Sequence, residues 1–368
     1  MSVGHNAWIE LDLDTLDRNV NALRAALGPE TAIVFVIKAN AYGHGLVPVA
    51  RRAWSNGVRW FAVAHAADAL PLRRLLPEAR ILLTSATPPT EADACVANRL
   101  HALVVDVAQA EAMSRLLGSA PQPLAVHVKV DTGMGRLGIP WDLAAEQVRR
   151  IAALPGLAVE GLCTHFASSD NADRTFLETQ CARYRQVVEA CERSGLRIPM
   201  RHASNSGGIL NAPEMDLNAV RPGILLYGYG PAAARRAVPT QPFLQWKTRV
   251  LQVKRVPAGS PVSYDSTCVT GRPTCLATLD VGYADGYSRR LSNRGIVLLD
   301  GRRCRVAGRV TMNLIVVDAG ADTQASPGDE AVLLGRRGDV SIWADELAAL
   351  GNTIPYEILT SIRASPRE

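Results

Sequence analysis

Only four of the chain's 40 basic residues are lysines, Lys38, Lys129, Lys247 and Lys254, so chemistry that needs an amine has few places to occur. Lys38 ends the apolar run "VFVI" and opens the turn "KANAYGHG". An ammonium at the end of a buried strand costs several kcal/mol (about 2 or more) unless it is paired, solvated or chemically engaged. Further polar residues fall in similar settings. "KVDTGMGRLG" gathers Lys129, Asp131 and Arg136 around a glycine-rich loop, "CTHF" carries His165, and "HASNSGG" and "VRPGI" carry Asn205, Ser206, Arg221, Gly223 and Ile224. The Ser206 hydroxyl, glycine-flanked N–H groups, the N–H groups of Gly223 and Ile224 and the Tyr42 hydroxyl are the ingredients of a phosphate cradle. An aldehyde cofactor with a phosphate handle, pyridoxal 5'-phosphate, meets both demands by joining Lys38 covalently. Plainer readings stand beside this one: a salt-bridged lysine, structural histidines at 165 and 202, a glycine turn, an ordinary helix cap at "SNSGG".

These residues need elements to bring them together. Apolar, β-branched runs recur near 32–37, 59–64, 80–84, 101–106, 124–130, 157–164, 198–203 and 218–221, with helical patterns such as "DLAAEQVRRIAAL" between them. Asp14 is placed to cap a first helix carrying Leu16, Val20, Leu23 and Leu27. Eight strands alternating with helices predict an α/β fold, a TIM-type (β/α)8 barrel over residues 1–235, with a doubly wound open sheet as the rival. In a barrel, functional groups sit at the C-terminal strand ends, where the residues above fall. After a Pro/Ala/Gly-rich connection the runs become strand-like and turn-punctuated, predicting a C-terminal β-rich domain over 236–368.

Composition narrows the classes. The chain has 368 residues and is 48% hydrophobic, ample for two cores. It shows no signal-peptide pattern and no apolar run of membrane-spanning length, which predicts a cytoplasmic protein. Seven cysteines form neither a CxxC pair nor a Cys/His cluster, so no metal site and no disulfide framework is expected. The net charge of +5 comes from dispersed arginines without a basic tail, which argues against nucleic acid as a partner.

The ordered motifs "VIKANAYGHG", "VHVKVDTGMGRLG", "GLCTHFASSD", "HASNSGGIL", "VRPGILLYG", "VSYDST", "VGYADGYSRR", "GRVTMN" and "PYEILTSI" resemble those of the alanine racemases over essentially the whole chain. The resemblance implies a pyridoxal-phosphate enzyme that interconverts L- and D-alanine for peptidoglycan. It also implies a homodimer with shared sites, whose first residues pack with the C-terminal domain. Carried over by position, Lys38 holds the cofactor and Tyr264 of the other subunit faces it. Tyr42, Asn205, Ser206, Gly223, Ile224 and Tyr356 bind the cofactor, most of them at its phosphate. Arg221 meets the ring nitrogen, and Arg136 the phenolic oxygen and the substrate carboxylate. Met312 and Tyr283 contact substrate, His165 and Arg221 support Tyr264 as a base, and Lys129 matches a position carbamylated in some members. An arginine at the ring nitrogen keeps its proton, so prompt return of the proton to the α-carbon is favoured over transamination. Two departures stand out: Asn313 replaces the usual aspartate, and Asp265 replaces the glycine after Tyr264. A basic-amino-acid decarboxylase shares this architecture but would carry a longer chain and a triple-glycine phosphate loop. A non-catalytic cofactor-binding barrel would lack "VSY".

Overall fold

The structure, a computed structural model, describes residues 7–118, 122–231 and 234–367. The chain divides into two compact units, one of Leu16–Ala39 and Leu46–Gln241, the other of the segment up to Thr15, Asn40–Gly45 and Pro242 onward.

The first unit is a closed parallel barrel. Its strands are β1 (Ala32–Val36), β2 (Trp60–Val63), β3 (Arg80–Ala86), β4 (Leu100–Val104), β5 (Leu124–Asp131), β6 (Leu157–Cys163), β7 (Met200–His202) and β8 (Ala219–Val220). Each pairs in parallel with the next, and β8 returns to β1 through Ala219 opposite Ala32 and Val220 opposite Ile33. Closure excludes the doubly wound sheet. The buried faces are the β-branched and aromatic runs read from the sequence, with Val34, Phe35, Phe61, Ile81, Val126 and Val128 all at most 1% exposed. Between strands lie amphipathic helices, among them Trp141–Ala152 and Thr175–Arg193. The first helix, Leu13–Ala26, starts two residues earlier than a cap at Asp14 would place it. Asp12, not Asp14, caps it: the Asp12 carboxylate accepts from the Thr15 N–H at 3.1 Å and the Thr15 hydroxyl at 2.6 Å.

In the second unit six antiparallel strands close on themselves: β9 (Leu244–Val256), β10 (Thr274–Leu279), β11 (Ile296–Leu299), β12 (Arg302–Val306), β13 (Ile315–Asp318) and β14 (Glu330–Arg337). The order is β9-β10-β13-β12-β11-β14, and β14 pairs back to β9. The N-terminal strand Trp8–Leu11 joins this sheet, with Trp8 opposite Lys247 and Leu11 opposite Leu244. Lys247 pins that join, holding Glu10 at 2.7 Å and Glu330 at 3.0 Å. All seven cysteines are free thiols. No helix among the described residues is long and apolar enough to cross a membrane.

Candidate active site

The barrel unit brings its polar residues to the C-terminal strand ends. Lys38 lies just beyond β1, accessible to solvent; desolvation by its surroundings and the Arg136 guanidinium lower its pKa. Arg136 is exposed on the glycine-rich loop after β5. Asp131 shapes that loop by accepting from the N–H groups of Gly133 at 2.9 Å and Gly135 at 3.0 Å. Lys129, on β5, is only 9% exposed. Burial above all, with the charges of Arg221 and Arg136 adding, brings its pKa down to about 7.

Arg221, just after β8, is buried. Its terminal nitrogens donate to the carbonyls of Thr164 at 2.7 Å, His202 at 2.9 Å and Ala203 at 2.9 Å. They also meet His202 Nδ1 at 2.6 Å and His165 Nδ1 at 3.3 Å. None of these bonds uses Nε. An arginine only donates, so both Nδ1 atoms accept, and each imidazole carries its proton on Nε2. Burial foremost, then the cations Lys129, Arg221, Arg136 and Lys38, hold His165 neutral by lowering its pKa well below the usual value.

The short helix Ser206–Asn211 follows β7. The Asn205 side chain caps it: Oδ1 accepts from the Gly208 N–H and the Ser169 hydroxyl, both at 2.9 Å, and Nδ2 donates to the Phe166 carbonyl at 3.2 Å. That side chain is therefore committed to the fold. Ser206 Oγ accepts from the N–H groups of Gly223 at 3.1 Å and Leu225 at 3.2 Å. Two main-chain donors from the segment after β8 thus converge on one oxygen, with Ile224 between them.

Beyond Lys38 the backbone turns left-handed. Ala39, Asn40, Ala41 and Tyr42 all have φ between 50° and 54°, a conformation costing roughly 1–2 kcal/mol for each such residue. The turn is tied by the His44 N–H to the Ala41 carbonyl at 3.0 Å, the Gly45 N–H to the Asn40 carbonyl at 2.9 Å, and His44 Nδ1 against the Tyr42 carbonyl at 2.9 Å. Tyr42 is buried with its ring centroid 6.0 Å from that of Tyr356, and burial raises its phenol pKa.

The second unit holds the remaining candidates on its surface. Tyr264 is 70% exposed, in a turn where Ser263, Asp265 and Ser266 all have positive φ. Asp265 accepts from Arg309 Nε at 2.9 Å, and the Ser263 hydroxyl donates to the Arg309 carbonyl at 2.8 Å, so a carboxylate fastens a turn at a left-handed position. Tyr283 and Met312 come together through the Tyr283 N–H to Thr311 and the Ala284 N–H to Met312, at 3.0 and 2.9 Å. Gly282 permits this approach, since a Cβ there would lie 2.2 Å from the Met312 carbonyl oxygen. Asn313 is exposed beside Met312.

Sequence reasoning passed over His127 and took His202 as a structural histidine in isolation. Both are fully buried and hydrogen-bonded to each other at 2.7 Å. The available signal was the alternation in "LAVHVKV", which puts His127 and Lys129 on the same face of β5.

The chain matches the models of the alanine racemase N-terminal domain over residues 11–231 and the alanine racemase C-terminal domain over residues 243–368. An alanine racemase of Desulfosudis oleivorans is 41% identical, covering 97% of this chain and 94% of that protein. Among solved structures, alanine racemase from Streptomyces coelicolor is 36% identical with a TM-score of 0.91, covering 98% of this chain and 97% of that one. Alanine racemase from Bartonella henselae, solved with covalently bound pyridoxal phosphate, is 29% identical with a TM-score of 0.88, each chain covered to 99%.

Proposed function

This chain belongs to the alanine racemase family, and we propose from that premise that it interconverts L- and D-alanine with pyridoxal 5'-phosphate, exchanging the α-proton through two bases on opposite faces. The observation behind this reading is the placement at the C-terminal strand ends of one barrel of the exposed Lys38 beyond β1, the donor-only Arg221 after β8, and the Ser206 hydroxyl held by two main-chain N–H groups.

The residues present suit the cofactor's polar groups. Lys38 offers a primary amine for the aldehyde. Ser206 Oγ accepts from two main-chain N–H groups and so has its own proton left to donate, which with Ile224 and the main chain at Asn205 suits a phosphate; Tyr42 and Tyr356 are the further phosphate ligands that the family resemblance implies. Arg221 keeps its proton and has Nε outside the bonds that anchor it, which suits the ring nitrogen. Arg136 suits the phenolic oxygen and a substrate carboxylate. When bound, the cofactor supplies an electron sink that makes the α-proton acidic.

Racemisation then needs a proton taken from one face and returned on the other. Lys38 serves the face where D-alanine carries its proton. The partner subunit's Tyr264 serves the other, which makes the working unit a homodimer with shared sites. Any phenol, with a reference pKa of about 10, needs its phenolate stabilised to act as a base at pH 7. His165 answers this need: neutral, and holding its proton on Nε2, it donates to a phenolate while Arg221 supplies positive charge behind it. Met312 and Tyr283 border the substrate. Lys129, with its pKa near 7, has the neutral amine that adds carbon dioxide, and the carbamate so formed answers the charges of Arg221 and Arg136. The enzyme acts in the cytoplasm and supplies D-alanine for peptidoglycan.

The test is direct. Purified protein with cofactor is given L-alanine, and the products are resolved by chiral chromatography. Equal amounts of the two enantiomers are expected from either starting material; unchanged L-alanine with cofactor bound would refute the assignment. Serine in parallel, with the wild-type chain and with Asn313→Asp, shows whether Asn313 broadens the substrate range.

A further inference from the structure

The barrel interior holds a row of imidazoles that no role above accounts for. His202 Nε2 lies 2.7 Å from His127 Nδ1, and His127 Nε2 lies 3.3 Å from His101 Nδ1. With Arg221 at 2.6 Å from His202 Nδ1, the row starts at the end of β7, crosses the middle of β5 and ends at the start of β4. His127 and His202 are wholly buried.

Two features of the sheet make room for it. Strand β6 runs between β5 and β7, with Gly161 opposite His127 and Cys163 opposite His202. A Cβ on Gly161 would lie 2.1 Å from His127 Nδ1, so the His127–His202 bond passes over a strand only because that residue is glycine. The β5–β6 register also shifts between Val126 and His127.

The direction of every proton follows from Arg221, which has only donors. His202 must accept at Nδ1 and therefore donates from Nε2. His127 then accepts at Nδ1 and donates from Nε2 to His101 Nδ1. The terminal N–H groups of Arg221 reach three carbonyls and two imidazoles, and no carboxylate is among these partners. We propose that His202, His127 and His101 form a neutral, uniformly oriented imidazole relay that positions Arg221 and answers its buried charge with aligned dipoles, making the two inner histidines positioning residues for racemisation. Arg221's part in the reaction rests on the functional reading above.

The groups around the relay favour neutrality. His202 faces Arg221, His127, Lys129 and His101; His127 faces His101, Arg221, His202 and the Trp60 ring; His101 faces Trp60, Arg80, Arg73 and His127. With Lys129 as its amine, no carboxylate appears in that set; the Cys163 thiol, opposite His202 in the sheet, and the Tyr184 phenol are the acidic side chains that also bear on Arg221, and burial is the largest cause depressing each imidazole.

The experiment uses the full chain labelled with 15N, free of cofactor, and reads histidine tautomers from long-range proton–nitrogen correlations. Its outcome therefore does not depend on whether the protein racemises alanine. Three neutral rings protonated on Nε2 at pH 7 are expected for residues 101, 127 and 202; an Nδ1-protonated or doubly protonated ring at any of them overturns the relay. In the holoenzyme, His127→Leu breaks the row, and kcat is expected to fall about tenfold with KM changed less than about twofold. His127→Gln, which both accepts and donates, restores most of kcat. A folded His127→Leu protein with wild-type kcat overturns the positioning role, and should that variant not fold, the wild-type tautomers decide.

Discussion

Replacing Ser206 by alanine removes a single oxygen on which two main-chain donors depend. The residue is 4% exposed and its Oγ accepts from Gly223 at 3.1 Å and Leu225 at 3.2 Å. Alanine suits the helix and adds no bulk, so the change isolates the lost acceptor. A buried N–H without a partner costs about 1–3 kcal/mol. Both distances lie on the long side of the usual range, which places the combined loss near 2–3 kcal/mol. That is a large fraction of the roughly 5–15 kcal/mol that holds a domain together. Urea titration of cofactor-free protein, followed by circular dichroism, should show the barrel transition about 1 M lower with its slope unchanged. A midpoint within about 0.2 M of wild type would mean that the two donors find other acceptors and that Ser206 does not organise the segment after β8.

Three further outcomes are expected. Mixing inactive Lys38→Ala protein with inactive Tyr264→Phe protein should restore racemisation through heterodimers with one intact site; demonstrated subunit exchange without activity would contradict shared sites. In protein freed of carbon dioxide, the Lys129 pKa of about 7 against the ordinary 10.5 penalises folding fully below pH 7 and not above pH 10.5. Stability relative to Lys129→Met should therefore rise from pH 7 to pH 9 by a few kcal/mol at most (about 1.4 per unit), read from thermal melts; a flat difference contradicts it. Gly43→Ala places a Cβ 2.1 Å from the Leu359 carbonyl oxygen at φ +78°. It should cost about 2–4 kcal/mol in thermal denaturation.

The parts of the fold governed by periodicity were legible in the sequence. Eight β-branched runs alternating with amphipathic segments specify the barrel, because a strand buried on both faces leaves an unbroken apolar signature. The placement of polar residues at the barrel mouth was legible too, since Lys38, His165 and Arg221 fall at the ends of those runs and Arg136 and Ser206 lie in the glycine-containing segments just beyond them. What escaped depends on side-chain partners across strands. The imidazole row needs His101, His127, His202 and Gly161, which are far apart in sequence and meet only through barrel register. Asp12 and Asp14 both suit a helix start, and only the Thr15 contacts decide between them. The left-handed run at 39–42 contains no glycine, so composition could not announce it.

In the proposed reaction, Lys38 and the partner subunit's Tyr264 serve opposite faces of the substrate. Tyr264→Phe keeps the ring and removes the hydroxyl, so proton exchange on the L face should lose roughly 10²- to 10⁴-fold. In D₂O, nuclear magnetic resonance follows loss of the α-proton from each enantiomer separately. This variant, with cofactor bound, should exchange D-alanine's α-proton far faster than L-alanine's, while racemisation falls in both directions. Equal loss of exchange from the two enantiomers would contradict that division of the faces.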